Sequence, residues 1–214
     1  MQVIEMLENM ALLSVGPDSL TPKTKVIFLK YLNIANREIY GKTAAINPDV
    51  VINETIQVQV GSDEIELNND IFSVSSLYVN DQYPSLTLKS YMDFVAYKKW
   101  RTINSSDPEV FSFRKNTILI YPILPTTQYT LDIFYAPHPI NIKESTDESD
   151  IPYPKVFHDI LVDSALYYLF SDEEGFKSTR DKLESKERKE SRLKDLNSYL
   201  YSNQNQSLST YSLN

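Results

Sequence analysis

The sequence predicts an α+β protein: an antiparallel helical bundle formed by the N- and C-terminal helices, with an antiparallel β lobe inserted between them. Three observations carry this. Apolar residues recur at three- and four-residue steps near both ends of the chain, the signature of one helix face. Between them the period drops to two, as a half-buried strand requires. The runs of each kind are separated by Gly, Pro, Asn and Asp punctuation. The boundaries that follow are 1–44 with 141–202 for a discontinuous bundle, 45–140 for the β lobe, and 203–214 for a flexible tail or arm. A discontinuous division lets each lobe close its own core.

The first helix is predicted over Val3 to Leu13, with Ile4, Leu7 and Ala11 on one side and Val3, Met6 and Met10 beside them. Gly16-Pro17-Asp18 ends it. Thr21 suits an N-cap and Pro22 the first helical position, so a second helix starts there. Phe28, Leu32, Ala35 and Ile39 form its stripe, Ile27, Tyr31 and Ile34 widen it, and Gly41 is placed to stop it.

The β lobe opens with Val50, Ile52, Ile56, Val58 and Val60 on even positions. After Gly61-Ser62-Asp63, Ile65 to Leu67 is expected to return as the hairpin partner. Ile71 to Val79 is a further strand, Leu86 and Leu88 an edge piece, with a turn at Asn80-Asp81 and Tyr83-Pro84 between them. Tyr91 to Trp100 reads as a short helix, since Met92, Val95, Ala96 and Trp100 share a face. Val110 to Phe113, Thr117 to Tyr121 and Gln128 to Ala136 are strands, interrupted by Arg114-Lys115-Asn116 and by Pro122, Pro125, Thr126 and Thr127.

Ile151-Pro152-Tyr153-Pro154 leads into Val156 to Phe170, where Val156, Phe157, Ile160, Leu161, Ser164, Ala165, Tyr168 and Leu169 mark a helical face. Ser164 and Ala165 place a small patch in it where another helix approaches closely. Asp172-Glu173-Glu174-Gly175 breaks the pattern, and a last helix runs from Phe176 to Tyr201, with Phe176, Thr179, Leu183, Leu193, Leu196 and Leu200 as its stripe. The Ser-, Asn- and Gln-rich segment beyond it reads as disordered or as an arm ordered by a neighbour.

The net charge is −8, and Ser171 to Ser202 contains eight basic and eight acidic residues, so all of the imbalance lies elsewhere. Such a surface does not attract nucleic acid in general, and no sequence-specific binding to it is expected. No apolar run is long enough to span a membrane, no membrane partner is expected, and the start lacks the basic region of a secretory signal. Without cysteine there is neither disulfide nor thiolate chemistry. Fifteen tyrosines against one tryptophan suit either sheet packing or a surface covered by a partner.

Catalytic equipment is sparse. His138 lies between prolines, and His158 beside Asp159 does not face it, because adjacent helical residues diverge. Neither has a partner at metal-ligand spacing, and the chain carries no phosphate-binding or nucleophile motif. No catalytic residue, metal or cofactor is expected. Asp147-Glu148 with Asp150 and Asp172-Glu173-Glu174 read as solvated loops, and Asp159 with Asp163, one turn apart, as a solvated face or an interchain ion-pair site. The block Lys182 to Lys194 is more informative: its alternating charges suit a helix wet on most sides and paired with something similar.

Three segments resemble a known family: Leu20 to Glu38 with its Asn33-Ile34-Ala35 step, the proline-flanked hairpin Tyr121 to Pro137, and Ile151 to Leu169, where prolines precede a helix entering a small-residue patch. In that order they resemble the head-to-tail adaptors, or connectors, of tailed bacteriophages, most nearly the podovirus tail adaptor type. The resemblance implies a non-enzymatic ring of twelve copies, set between the portal protein and a tail or nozzle protein at the virion's head–tail junction, around the DNA exit channel. On that reading Glu184, Glu187 and Glu190 of one copy meet Arg188, Arg192 and Lys194 of the next copy or of the portal. The alternative is a carbohydrate- or peptide-binding accessory module whose exposed tyrosines line a groove.

Overall fold

In the computed structural model, residues 1–59, 61–80, 85–101, 108–122, 129–172 and 179–211 are described. The expected turns at Asp81 with Tyr83-Pro84, at Pro125 to Thr127 and at Gly175, and the apolar contact of Phe176, lie outside them. The protein is α+β, and the chain divides into two units: Met1–Asp49 with Pro139–Asn214, and Val50–His138.

The first unit is helical. Helix α1 (Val3–Ser14) is boxed at its start, where Gln2 N–H donates to Glu5 Oε2 at 2.9 Å. It buries Val3, Met6, Leu7, Met10 and Ala11. Gly16 turns the chain with φ +110°, a region that favours glycine. Helix α2 (Pro22–Thr43) begins as its residue types dictate: Thr21 Oγ1 accepts from Thr24 N–H, and Thr24 Oγ1 accepts from Thr21 N–H at 2.8 Å. Phe28, Tyr31, Leu32, Ala35 and Ile39 are fully buried, each large side chain contributing about 1.5–3 kcal/mol by its removal from water. Gly41 does not stop the helix. Ile39, Tyr40 and Thr43 are all buried, and packing carries the last turn past the glycine.

Helix α4 (Asp159–Asp172) follows a 3-10 turn at Lys155–Phe157, so Val156 falls before the helix and is exposed, against the sequence expectation. Phe157 also falls before the helix and is half-buried, as is Tyr168, whereas Ile160, Leu161, Ser164, Ala165 and Leu169 of the expected face are buried. Helix α5 (Thr179–Tyr211) lies antiparallel to α4: Tyr167 is beside Lys189, Asp163 beside Arg188, and Phe157 beside Tyr199. One core gathers residues of α1, α2, α4 and α5 with Ile142, Ile151 and Tyr153. Helix α5 continues through the segment for which composition predicts a flexible tail. Extending a formed helix by residues of middling propensity needs no new nucleus.

The second unit holds two sheets. Strands β1 (Ile52–Val58) and β3 (Ile71–Val79) flank β7 (Tyr129–Pro137), both antiparallel to it. The other sheet runs β2 (Glu64–Glu66), β6 (Thr117–Tyr121), β5 (Val110–Arg114), β4 (Thr87–Leu88). Ile65 therefore pairs with Ile118 and not with the first strand, whose register is taken by β7. The β4–β5 pair is parallel, where antiparallel pairing was expected throughout. Parallel neighbours need a crossover, and helix α3 (Tyr91–Trp100) supplies it. Phe94 packs with Val110 and Tyr121, and Tyr97 meets the Tyr121 ring edge-on at 6.2 Å. The helix thus turns Phe94 and Tyr97 inward, and the predicted face of Met92, Val95, Ala96 and Trp100 points outward. Leu77, Phe111, Ile118, Ile120, Leu131, Ile133 and Tyr135 form the core common to both sheets.

Candidate functional site

The charged block of α5 is where the sequence and the structure diverge most usefully. Ser185, Lys189, Leu196 and Leu200 all face inward, at steps of four, seven and four residues. The inward stripe is continuous, but its first half is polar. Leu183, expected on that stripe, is 56% exposed.

Arg188 Nε donates to Asp163 Oδ1 at 3.1 Å. Arg192 Nη1 lies 2.8 Å from Asp159 Oδ2, and its Nε lies 3.0 Å from Asp163 Oδ2. The last contact is an ion pair without hydrogen-bond alignment, so Asp163 Oδ2 has no hydrogen-bond partner. Asp163 is only 4% exposed. Burial raises its carboxyl above the usual aspartate range, and the charge and hydrogen bond of Arg188 offset that only in part. Burial likewise lowers Arg192 from its usual value.

One turn away, Lys189 is 7% exposed and reaches Glu38 of α2 at 2.7 Å. Its ammonium stands 4.7 Å from the ring centres of both Tyr167 and Tyr168, a cation held over two π faces. Burial alone would raise Glu38, but hydrogen bonds from Lys189, Lys42 and Tyr168 bring it below the usual glutamate range. Tyr168, half-buried and donating to Glu38 at 2.8 Å, is pushed up to about 12 by desolvation and by the Glu38 carboxylate. These contacts tie α5 to α4 and α2 through ions as well as leucines.

Of the six residues singled out from sequence, Arg188 and Arg192 are therefore engaged within the chain, by the acids for which a solvated or interchain role was expected. The expectation treated α5 as wet on most sides. Its cations recur at the spacing of the leucines, and their partners lie on another helix far away in sequence. Glu184, Glu187, Glu190 and Lys194 are exposed, with Glu190 Oε1 3.8 Å from Lys186 Nζ. Leu183, Glu187, Glu190 and Lys194 follow one another at helical spacing along the outer side.

Sequence reasoning missed a second set of residues. Asn33 Oδ1 accepts from Ile142 N–H at 2.7 Å, and Asn33 Nδ2 donates to Ile142 C=O at 2.9 Å. A side-chain amide thereby satisfies both backbone groups of one residue, as a neighbouring strand would. Asn36, fully buried, donates to Ile140 C=O at 3.0 Å and accepts from Tyr153 Oη at 3.1 Å. Asn47 Nδ2 donates to Pro152 C=O at 2.7 Å. Three asparagines thus strap residues 140–153 to the helical unit. The available signal was Asn33 and Asn36 at i, i+3 beside the apolar stripe of α2.

His158 is buried, with Nε2 2.8 Å from Tyr153 O and Nδ1 3.2 Å from the Met1 amine. Among the described residues no three His, Cys, Asp or Glu side chains form a group able to hold a metal, and no helix is long and apolar enough to cross a membrane. In the β unit Tyr121, Tyr129 and Tyr135 are buried, Tyr78 and Tyr97 half-buried, and Tyr91 alone exposed among the described tyrosines, so most of them pack in the unit's interior.

The class is that of the bacteriophage adaptors, structural proteins of the virion. The chain belongs to the SU10 adaptor protein family, whose model matches residues 2–210. No curated protein matches it.

Proposed function

We propose that the chain forms a ring, of twelve copies on the implied stoichiometry, that joins the portal to the tail or nozzle protein and surrounds the DNA exit channel. The observation that carries this reading is the family match across nearly the whole chain. The charge distribution agrees with it. An acidic protein lets DNA pass without holding it, since duplex affinity comes chiefly from cations that replace condensed counterions. The outer side of α5 then serves as a subunit or portal contact through Glu184, Glu187, Glu190 and Lys194. Arg188 and Arg192 serve it indirectly, by fixing α5 on α4. In a ring each copy repeats one heterologous contact, so weak exposed pairs set register by repetition.

The test is Glu187→Lys with Glu190→Lys. Both side chains are exposed, so the melt of the isolated chain should match the parent's. The fraction of tailed particles in electron micrographs should fall severalfold. A fully tailed population would remove this face from the assembly.

A further inference from the structure

The outward stripe of α3 has no partner within the described residues. Met92 is 75% exposed and Trp100 79%, with Val95 and Ala96 between them. Lys99 lies within the stripe, its ammonium 5.4 Å from the Trp100 ring centre. Tyr91 extends the stripe to a hollow of about 260 Å³ that it lines with Glu64, Arg114, Lys115 and Leu119, among others. Lys98 pairs with Asp63 at 2.9 Å and Arg101 pairs with Glu109. Lys99, Arg114 and Lys115 make no ion pair among the described residues. The face is therefore apolar and basic on an acidic protein. Exposed Trp and Met on a regular helix face are the composition of a contact surface.

The same chain carries the counterpart. On the outer side of α5, Leu183, Glu187 and Glu190 stand at i, i+4 and i+7, all exposed: a ridge that is apolar and acidic over these two turns, with Lys186 3.8 Å from Glu190 and Lys194 on the turn beyond. We infer that the α3 stripe of one copy docks on the Leu183–Glu187–Glu190 ridge of a second copy. Pairing of the stripe with itself would set Lys99 against Lys99. Pairing of stripe with ridge sets bases against acids and apolar against apolar. It also uses two different faces, so every copy gives one and receives one, which is the contact a ring requires. This inference rests on the ring reading above and names the surfaces that close it.

Charge reversal on each face tests it. One variant is Lys99→Glu with Lys115→Glu, the other Glu187→Lys with Glu190→Lys. All four side chains are exposed, and both variants should melt as the parent does. In sedimentation velocity at low salt the parent should assemble. Each variant alone should need about tenfold more protein to do so, since like charges then meet. An equimolar mixture should recover the parent's behaviour, because with the two variants alternating each reversed stripe meets a reversed ridge and each native stripe meets a native ridge. Variants that assemble like the parent, or a mixture no better than its components, would overturn the proposal and leave the ring reading standing. A parent that stays monomeric at every concentration would overturn both. The chain has no cysteine, so Val95→Cys chains mixed with Glu187→Cys chains give a direct check. Mixed disulfide dimers are expected, and Val95→Cys dimers formed instead would mean like-on-like pairing and refute the proposal. Salt-sensitive binding of a labelled DNA duplex that the Lys99→Glu, Lys115→Glu variant loses would make the stripe a nucleic-acid surface, and would also refute it.

Discussion

Asp163 shows how a buried charge can be needed and yet disfavoured. Its carboxyl is raised by burial in spite of Arg188, so in the folded chain the ionised form is the costly one. Replacing it with Asn removes that cost, and Arg188 and Arg192, both partly exposed, can turn to water. Asp163→Asn should therefore shift stability by no more than about 1 kcal/mol at neutral pH. Removing the cations instead strands the charge: Arg188→Ala with Arg192→Ala should cost about 3 kcal/mol, in the range for breaking a buried pair from one side. That cost should shrink on acidification, because a raised carboxyl takes up its proton first. Denaturant melts of the two variants across pH decide it, and equal losses at neutral pH would contradict the asymmetry. Glu38 has the opposite sign. Its carboxyl is lowered, so its contribution is full above the ordinary glutamate range and is lost as pH falls through the lowered value. Glu38→Gln should flatten the acid limb of the parent's stability curve, while Asp163→Asn should flatten the decline that begins as pH rises past the ordinary aspartate range and is complete above the raised value.

Elements hold together here by two means, close packing and asparagine straps. Ser164 and Ala165 sit fully buried in α4, and Ala165→Trp would force a large ring into that contact at about 1–3 kcal/mol or more. A melt unchanged from the parent would contradict the packing. Asn33→Ala leaves both backbone groups of Ile142 unpaired beside a buried side chain, a loss of about 1–3 kcal/mol. Hydrogen exchange should report it locally, with the Ile142 amide losing protection ahead of the α2 core. These contacts also show what was legible in the sequence. The cap at Thr21, the buried stripe of α2 and the alternation of Tyr129, Leu131, Ile133 and Tyr135 depend on neighbours in sequence, and they could be read directly. The direction of α3 could not. Its pattern marks one apolar face, but the crossover from β4 to β5 turns the opposite side inward, where Phe94 and Tyr97 pack against Val110 and Tyr121. The paired cations of α5 were hidden for a similar reason, since a charge reads as solvated until its partner is located, and Asp163 and Glu38 lie far off in sequence.

At the scale of the whole molecule, the two units differ in how the chain closes them. The β unit is one continuous segment with its own core. The helical core needs both ends: Leu7, Phe28 and Ile39 from one, Leu161, Leu196 and Leu200 from the other. Its contacts are long-range because the β unit intervenes, and closing them costs loop entropy that grows only slowly with the length enclosed. The intervening segment should therefore be removable. Replacing residues 50–138 with a Gly-Ser linker keeps the straps, since Ile140, Ile142 and Pro152 and their asparagine partners all belong to the helical unit. The shortened chain should be strongly helical by circular dichroism and should melt cooperatively. Residues 50–138 alone should give a sheet spectrum and a separate transition. A shortened chain that is coil, or that melts without cooperativity, would mean that the helical core depends on the β unit. The shortened chain would also lack the α3 stripe and keep the α5 ridge. It should then stay monomeric, yet bind the parent and terminate its assembly, and a ladder of short oligomers in the mixture would be the sign of it.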